Sequence, residues 1–257
     1  MLREDASSFP LGRAEPNARI AASAEIVGPE HVYLGEGATI APRAVIDATD
    51  GPVVIDRNAH IMQNAVIIGP AYVGEGSKVK IGAKIYEGTS IGPVCKVGGE
   101  VEETIFHSYA NKQHEGFAGH SYFAPWTNIG ADTNTSDLKN DYSEVRMVLE
   151  GTEYRTGRQL LGTIMADHSK CGINTMFNTG TCVGVGCNIY GADYPPKAIP
   201  SYAWGGSGGF REYVFRKFAS VASEVLRRRN KTFSSIEYAV FRHIFDSTIM
   251  HRKDFLQ

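Results

Sequence analysis

The sequence predicts an all-β solenoid, a parallel β-helix of hexapeptide repeats, with a C-terminal α-helical extension. Three observations lead there. Every sixth residue from Ile55 is a β-branched aliphatic: Ile55, Ile61, Ile67, Val73, Val79, Ile85, Ile91 and Val97. Four positions after each of the first seven stands a small residue: Ala59, Ala65, Ala71, Ser77, Ala83, Thr89 and Cys95. The 28 glycines are spread along the chain, as many tight turns require. A period of six fits neither a helix of ~3.6 residues per turn nor a flat two-residue strand over any length. It fits a short strand plus a corner, three such units to a coil. β-Branched residues suit the strands, and Gly, Asn and Asp suit the corners. The large aliphatic points inward and the small residue packs where the corner is tight. Each coil pairs backbone to backbone with its neighbours and depends on them. A β-sandwich would instead need alternation and hairpin turns roughly every 8–12 residues.

In chain order, residues 1–17 read as a lead-in, and their start, "MLREDASSFPLGRAEP", lacks the apolar stretch of a signal peptide. The β-helix is expected over 18–205. Ile20, Ile26 and Val32 precede the long block. Leu34, Ile40 and Ile46 resume the period after a two-residue slip, and Phe117, Phe123 and Ile129 continue it. Cys171, Phe177, Val183 and Ile189 form the last block, with Thr175, Thr181 and Cys187 in the small column. Residues 137–160 lose the period. There "VRMVL" and "YRTG" flank "EGTE", a hairpin excursion whose place just after a polar cluster points to the wall of a site. From 206 to 257 the chain reads as helical. "SGG" breaks the repeat, and Tyr213, Phe218, Val221 and Val225 then fall at helical spacings. "SSIEYAVFRHIFDSTIMHRKDF" reads as a second amphipathic helix capped by Ser234 or Ser235. The basic run Arg227, Arg228, Arg229 and Lys231 reads as a solvated helix end, with a grip on a phosphate-bearing cofactor as the alternative.

Bulk properties set bounds on function. Of 257 residues, 42% are hydrophobic and 21% charged, ordinary for a globular protein. The net charge of -2 gives no reason to expect nucleic acid or an anionic membrane surface. No apolar run reaches the roughly 18 residues of a membrane span, so a cytoplasmic location is expected. Cys95, Cys171, Cys182 and Cys187 show no CxxC spacing and read as reduced core thiols.

The repeat falters at "NKQHEGFAGH", residues 111–120, where polar residues crowd. His107, His114 and His120 fall close together. Two metal ligands on one face of such a coil should lie ~18 residues apart. Spacings of seven and six place these histidines on successive faces, so no intrachain metal site is expected. The sharper reading is a general base. It needs an imidazole with a pKa near ~6.5, presented to a nucleophile and oriented by a partner on its other ring nitrogen.

"NKQHEGFAGHSYFAPWTNIGADTNTSDLKN" (111–140) resembles the acetyltransferase half of bifunctional N-acetylglucosamine-1-phosphate uridylyltransferases and their sugar-phosphate nucleotidylyltransferase-like relatives. The resemblance implies a left-handed β-helix that works as a homotrimer with active sites between subunits. It also implies acetyl-CoA as co-substrate and a small-molecule sugar as acceptor. The family motif has a catalytic His followed fourteen residues later by an Asn opening an "N-I-G-A-G-T" string. Here His114 is followed fourteen residues later by Asn128 in "NIGADT". His114 is thereby implied as the base and Asn128 as a holder of the acceptor. "KCGINTMFNTG" (170–180) looks like the family's acetyl-CoA coil, which puts Lys170 and Asn174, with Ala131, at the cofactor. Phe117 stands where the bacterial enzymes have a sugar-contacting Tyr. Asp137 and Leu138 replace an Asn-Tyr pair, leaving Asp137 to orient the His or bind the acceptor amine. Asp132 replaces the second Gly of the string. Glu100, Glu102 and Glu103 occupy the region of the family's phosphate-binding Lys, for which Lys112, Lys139 or a neighbouring subunit are the candidate replacements.

No Gly-rich phosphate loop of the nucleotidyltransferase half is present. Trp204 either covers an adenine or packs on the last coil, and packing is preferred. The implied function is acetyl-CoA-dependent N-acetyl transfer to an amino sugar or amino-sugar phosphate. The alternatives are a non-catalytic trimerisation module of a sugar nucleotidyltransferase and a zinc carbonic anhydrase-like enzyme.

Overall fold

A computed structural model describes residues 2–256. Strands of two to four residues stack into three parallel faces. The first face has ten strands, from Arg13–Ala14 to Ala198–Ile199. The second has six, from Arg19–Ile20 to Asn111–Lys112. Bridges from Asn111 to Asn128 and from Asn128 to Lys170 carry that face on to Lys170–Cys171, Asn188–Ile189 and Ala203–Gly206. The third has eight strands, from Glu25–Val27 to Met176–Phe177. This is the expected left-handed parallel β-helix.

The six-residue column fills its interior. Ile55 through Val97 are each at most 1% exposed, and the small column from Ala59 to Cys95 is buried beside them. Burying each Val or Ile contributes about 1.5–3 kcal/mol, and the contact is shared with the coils above and below. Corners take the left-handed conformation. Asn58 and Asn64 have φ of 54° and 58°, a region asparagine tolerates better than most residues. The two-residue slip is absorbed by a short 3₁₀ turn, Pro29–His31.

Several expectations about boundaries and register need correction. The coil begins inside the lead-in, because Arg13–Ala14 pairs with Tyr33–Leu34. Ahead of it, helix α1 (Leu2–Ala6) lies against the strand Ala71–Val73. Phe117 is not an inward residue: Ala118 points inward at 0% exposure, and Phe117 stands half-buried on the outer face. The corner between Ala118 and Phe123 is one residue short, so counting six back from Phe123 lands one position off. The "SGG" segment is a hairpin turn rather than a break. Ala203–Gly206 pairs antiparallel with Gly209–Glu212, and Tyr213 precedes the first long helix.

Helix α2 spans Phe215–Arg227 and α3 spans Ser235–Ser247. Ser234 caps α3 in a capping box with Glu237. The expected second helix is in fact two, with α4 (Ile249–Phe255) following a break at Thr248. There the Thr248 hydroxyl donates to the Ile244 carbonyl at 2.7 Å. Arg252, 0% exposed, donates to the Phe245 carbonyl at 3.0 Å and to Glu212 at 2.8 Å, turning α4 back onto the coil. The helices dock through an aromatic cluster. Tyr202 meets Phe218 at 5.0 Å between ring centroids, and His168 meets Phe241 at 5.1 Å. Burial pushes the His168 pKa down to about 3, so its ring is neutral in this cluster.

The excursion does form a hairpin, Arg146–Leu149 against Thr152–Arg155, with Glu150 and Gly151 at positive φ in the turn. The hairpin does not border the cavity of His114, and the excursion meets the polar cluster through its first residue, Asp137, at His120. The hairpin tip leans on the last coils of the first face and, with Cys182, Ile199, His251 and Phe255, closes an apolar cleft of about 240 Å³. Among the described residues no helix is long and apolar enough to cross a membrane.

Candidate functional site

His114 sits at the corner between the second and third faces, between the strands Asn111–Lys112 and Phe117–Gly119. Its ring is exposed and makes no hydrogen bond or ion pair among the described residues. Asn128 sits on the second face of the next coil, bridging Asn111 below and Lys170 above. The fourteen-residue interval is therefore a climb of nearly one coil. It brings His114 and Asn128 to one cavity of about 220 Å³, bordered also by Gln113, Gly130, Ala131 and Ile173.

Asn111 joins the two. Its side-chain amide donates to Asn128 Oδ1 at 3.1 Å, while its own Oδ1 is buried with no partner. A buried acceptor without a donor costs about 1–3 kcal/mol. Sequence reasoning passed over Asn111 and Gln113. The signal was there, because Asn111 precedes Asn128 by 17 residues, one coil.

A second cavity of about 500 Å³ shares Asn111, Gln113 and Asn128 with the first. Lys170 lies in this one. Its amine donates to the His168 carbonyl at 2.9 Å, and burial pushes its pKa down to about 8. Asn174, exposed at a left-handed corner, borders a third cavity of about 600 Å³ on the later coils. Ile173 is common to this cavity and to that of His114. The three cofactor candidates thus follow one edge of the solenoid but divide among three adjoining cavities.

The other candidates fall elsewhere. Lys112 is a correction: it is 1% exposed and points into the coil, in register with Val97. Its amine donates to the carbonyls of Gly98 (3.0 Å), His114 (3.2 Å) and Gly116 (2.6 Å). It is an internal strut and cannot grip a phosphate. Burial pushes its pKa down to about 8. Lys139 donates to Ser143 and pairs with Asp141 at 3.7 Å, inside its own loop. Phe117 lies on the outer third face.

Asp137 orients a histidine, but the histidine is His120. His120 Nδ1 donates to Asp137 Oδ2 at 2.8 Å, its Nε2 lies 3.6 Å from Glu103, and its side chain is 15% exposed. A Cβ on Gly119 would fall 2.2 Å from Asp137 Oδ2 and 2.6 Å from the Phe117 ring, so glycine lets the carboxylate reach. This pair too was legible as a one-coil interval of 17 residues. Among the described residues no three His, Cys, Asp or Glu side chains converge as metal ligands, and the His107 ring hydrogen-bonds Ser108 alone. Trp204 packs, donating to the Tyr190 hydroxyl at 3.0 Å and meeting Tyr213 at 4.5 Å.

The fold and this corner cavity define a hexapeptide-repeat β-helix with a histidine–asparagine edge. No family model matches the chain. A bifunctional sugar-1-phosphate nucleotidylyltransferase/acetyltransferase from Sulfurisphaera tokodaii is 31% identical to it over 91 residues. That match takes in 35% of this chain and spans only 23% of the relative's length. Among solved structures, a UDP-N-acetylglucosamine acyltransferase shares 14% identity at a TM-score of 0.39, over 81% of this chain and 77% of that one. A variant of AntD, an N-acyltransferase from Bacillus cereus in complex with dTDP and coenzyme A, shares 14% at 0.25, over 83% and 92%.

Proposed function

We propose that the chain is a coenzyme A-dependent N-acyltransferase whose acceptor is an amino sugar or amino-sugar phosphate, with acetyl as the transferred group. The observation that carries this reading is the shared cavity of His114 and Asn128. Support comes from the Sulfurisphaera relative, whose name includes an acetyltransferase activity. The acceptor reacts as its free amine, because an ammonium has no lone pair. As its nitrogen bonds to the thioester carbonyl, His114 takes the surplus N–H proton. Collapse of the tetrahedral intermediate breaks the C–S bond, and coenzyme A departs as thiolate to be protonated. Asn128, fixed by Asn111, holds the acceptor's polar groups. The exposed, unpaired ring of His114 fits a site completed by a neighbouring copy in a cytoplasmic homotrimer.

The test is release of coenzyme A from acetyl-CoA with a panel of amino-sugar phosphates. His114→Ala should cut turnover about 10²–10⁴-fold, the usual worth of a general base. A variant as active as wild type would remove the reading's main support. The carboxylate at His120 favours a second reading, with His120 as base, and His120→Ala in the same assay separates the two. A wild-type chain inert across the panel points instead to a non-catalytic trimerisation module.

A further inference from the structure

We propose that the cavity between the end of α2 and the second face binds a phosphate group of a substrate whose reacting end lies against His114. This deepens the acyltransfer reading and rests on it. The cavity is lined by four cations, Lys96 and Lys170 from the second face and Arg228 and Arg229 from the end of α2, and by no Asp or Glu. Their neighbour Arg227 is paired with Glu224 at 2.6 Å. Arg228 and Arg229 place no guanidinium in a hydrogen bond or ion pair among the described residues, and Lys96 is likewise unbonded. Four like charges gathered in a cavity that no acid lines repel one another, and Glu224, already paired with Arg227, reaches only Arg228 of the four through its charge. Burial, then the charges of Arg229, Lys78, Lys80 and Arg228, hold Lys96 below the usual lysine range. Guanidinium groups do not shed their protons, so the cavity stays positive. Its natural complement is an anion that accepts several hydrogen bonds at once, and a phosphate does so in bidentate fashion.

Size and position narrow the ligand. At about 500 Å³ the cavity has room for more than an inorganic ion. Tyr109 and Trp126, stacked on each other at 4.1 Å, supply a flat wall. Asn111, Gln113 and Asn128 border this cavity and that of His114, so one ligand can span both. The arrangement also supplies the cations the site otherwise lacks, since Lys112 and Lys139 are engaged internally. The phosphate can belong to the sugar acceptor or to coenzyme A.

Calorimetry on the full chain distinguishes these sources. The probes are glucosamine 1-phosphate against glucosamine, and coenzyme A against pantetheine. Arg228→Ala/Arg229→Ala should weaken one phosphorylated probe about tenfold or more, while its phosphate-free counterpart is unaffected. Loss confined to glucosamine 1-phosphate assigns the pocket to the acceptor, and loss confined to coenzyme A assigns it to the cofactor. Lys96→Gln should repeat the effect independently of the helix end, with thermal unfolding as the check on folding. Unchanged affinity for both phosphorylated probes overturns the proposal, as does failure of wild type to bind either. Loss of phosphate affinity in a chain that transfers no acyl group keeps the pocket and rejects the catalytic reading.

Discussion

Lys112 accounts for the polar interruption at the heart of the sequence. It takes the inward slot that Val97 holds one coil earlier, and its ammonium ties the carbonyls of Gly98, His114 and Gly116 together. Lys112→Met keeps the stem but removes the donor from all three. Urea unfolding should show a loss of roughly 3 kcal/mol, and an unchanged midpoint would contradict the strut. The four cysteines make a second residue-scale prediction. Burial pushes the thiols of Cys95 and Cys187 up to about 12, and those of Cys171 and Cys182 also upward. In the fold they stay protonated, while in the unfolded chain they ionise near the ordinary 9.0. Their contribution to stability is therefore complete below pH 9 and is lost as pH rises toward 12. Thiol reagents at pH 8 should leave the native chain unlabelled and label it on denaturation. Burial of the thiols was readable from their places in the repeat. The inward turn of Lys112 was not, because a lysine in a period-breaking segment ordinarily faces solvent.

At the scale of elements, two side-chain contacts tie the excursion and the helical extension to the coils. Asp137 opens the excursion and reaches down one coil to His120. A double-mutant cycle with His120→Ala and Asp137→Ala should give a coupling of at least about 0.5 kcal/mol. Additive effects would mean the pair is incidental. The helical extension was recognisable from its periodicity and the Ser234 cap. Its division at Thr248 was not, since it depends on Arg252 being drawn to Glu212, 40 residues earlier. The hairpin was legible from "EGTE", but the face it leans on was not. A loop's sequence fixes its turn, while its docking partner here, the first face near Cys182, comes from later coils.

For the molecule as a whole, the solenoid presents three long outer faces and a cavity edge that runs along one corner. The open ring of His114 and the adjoining cavities fit a closed ring of copies. Sedimentation at about micromolar concentration should show a trimer, and a monomer would sink a site shared between subunits.

The sequence by itself determined the coil. A strand, a corner and an inward aliphatic recur within six residues, so the information is local and repeated many times over. The fourteen residues from His114 to Asn128 make nearly one coil, which is why both border one cavity. Tertiary structure alone decided what each exception does. Corners of unequal length shift the register by a single residue, which exchanges the inward and outward faces at Phe117 and Ala118. Likewise, only the fold of the C-terminal helices carries Arg228 and Arg229 back over Lys96, about 130 residues earlier, and no periodicity encodes a meeting at that distance.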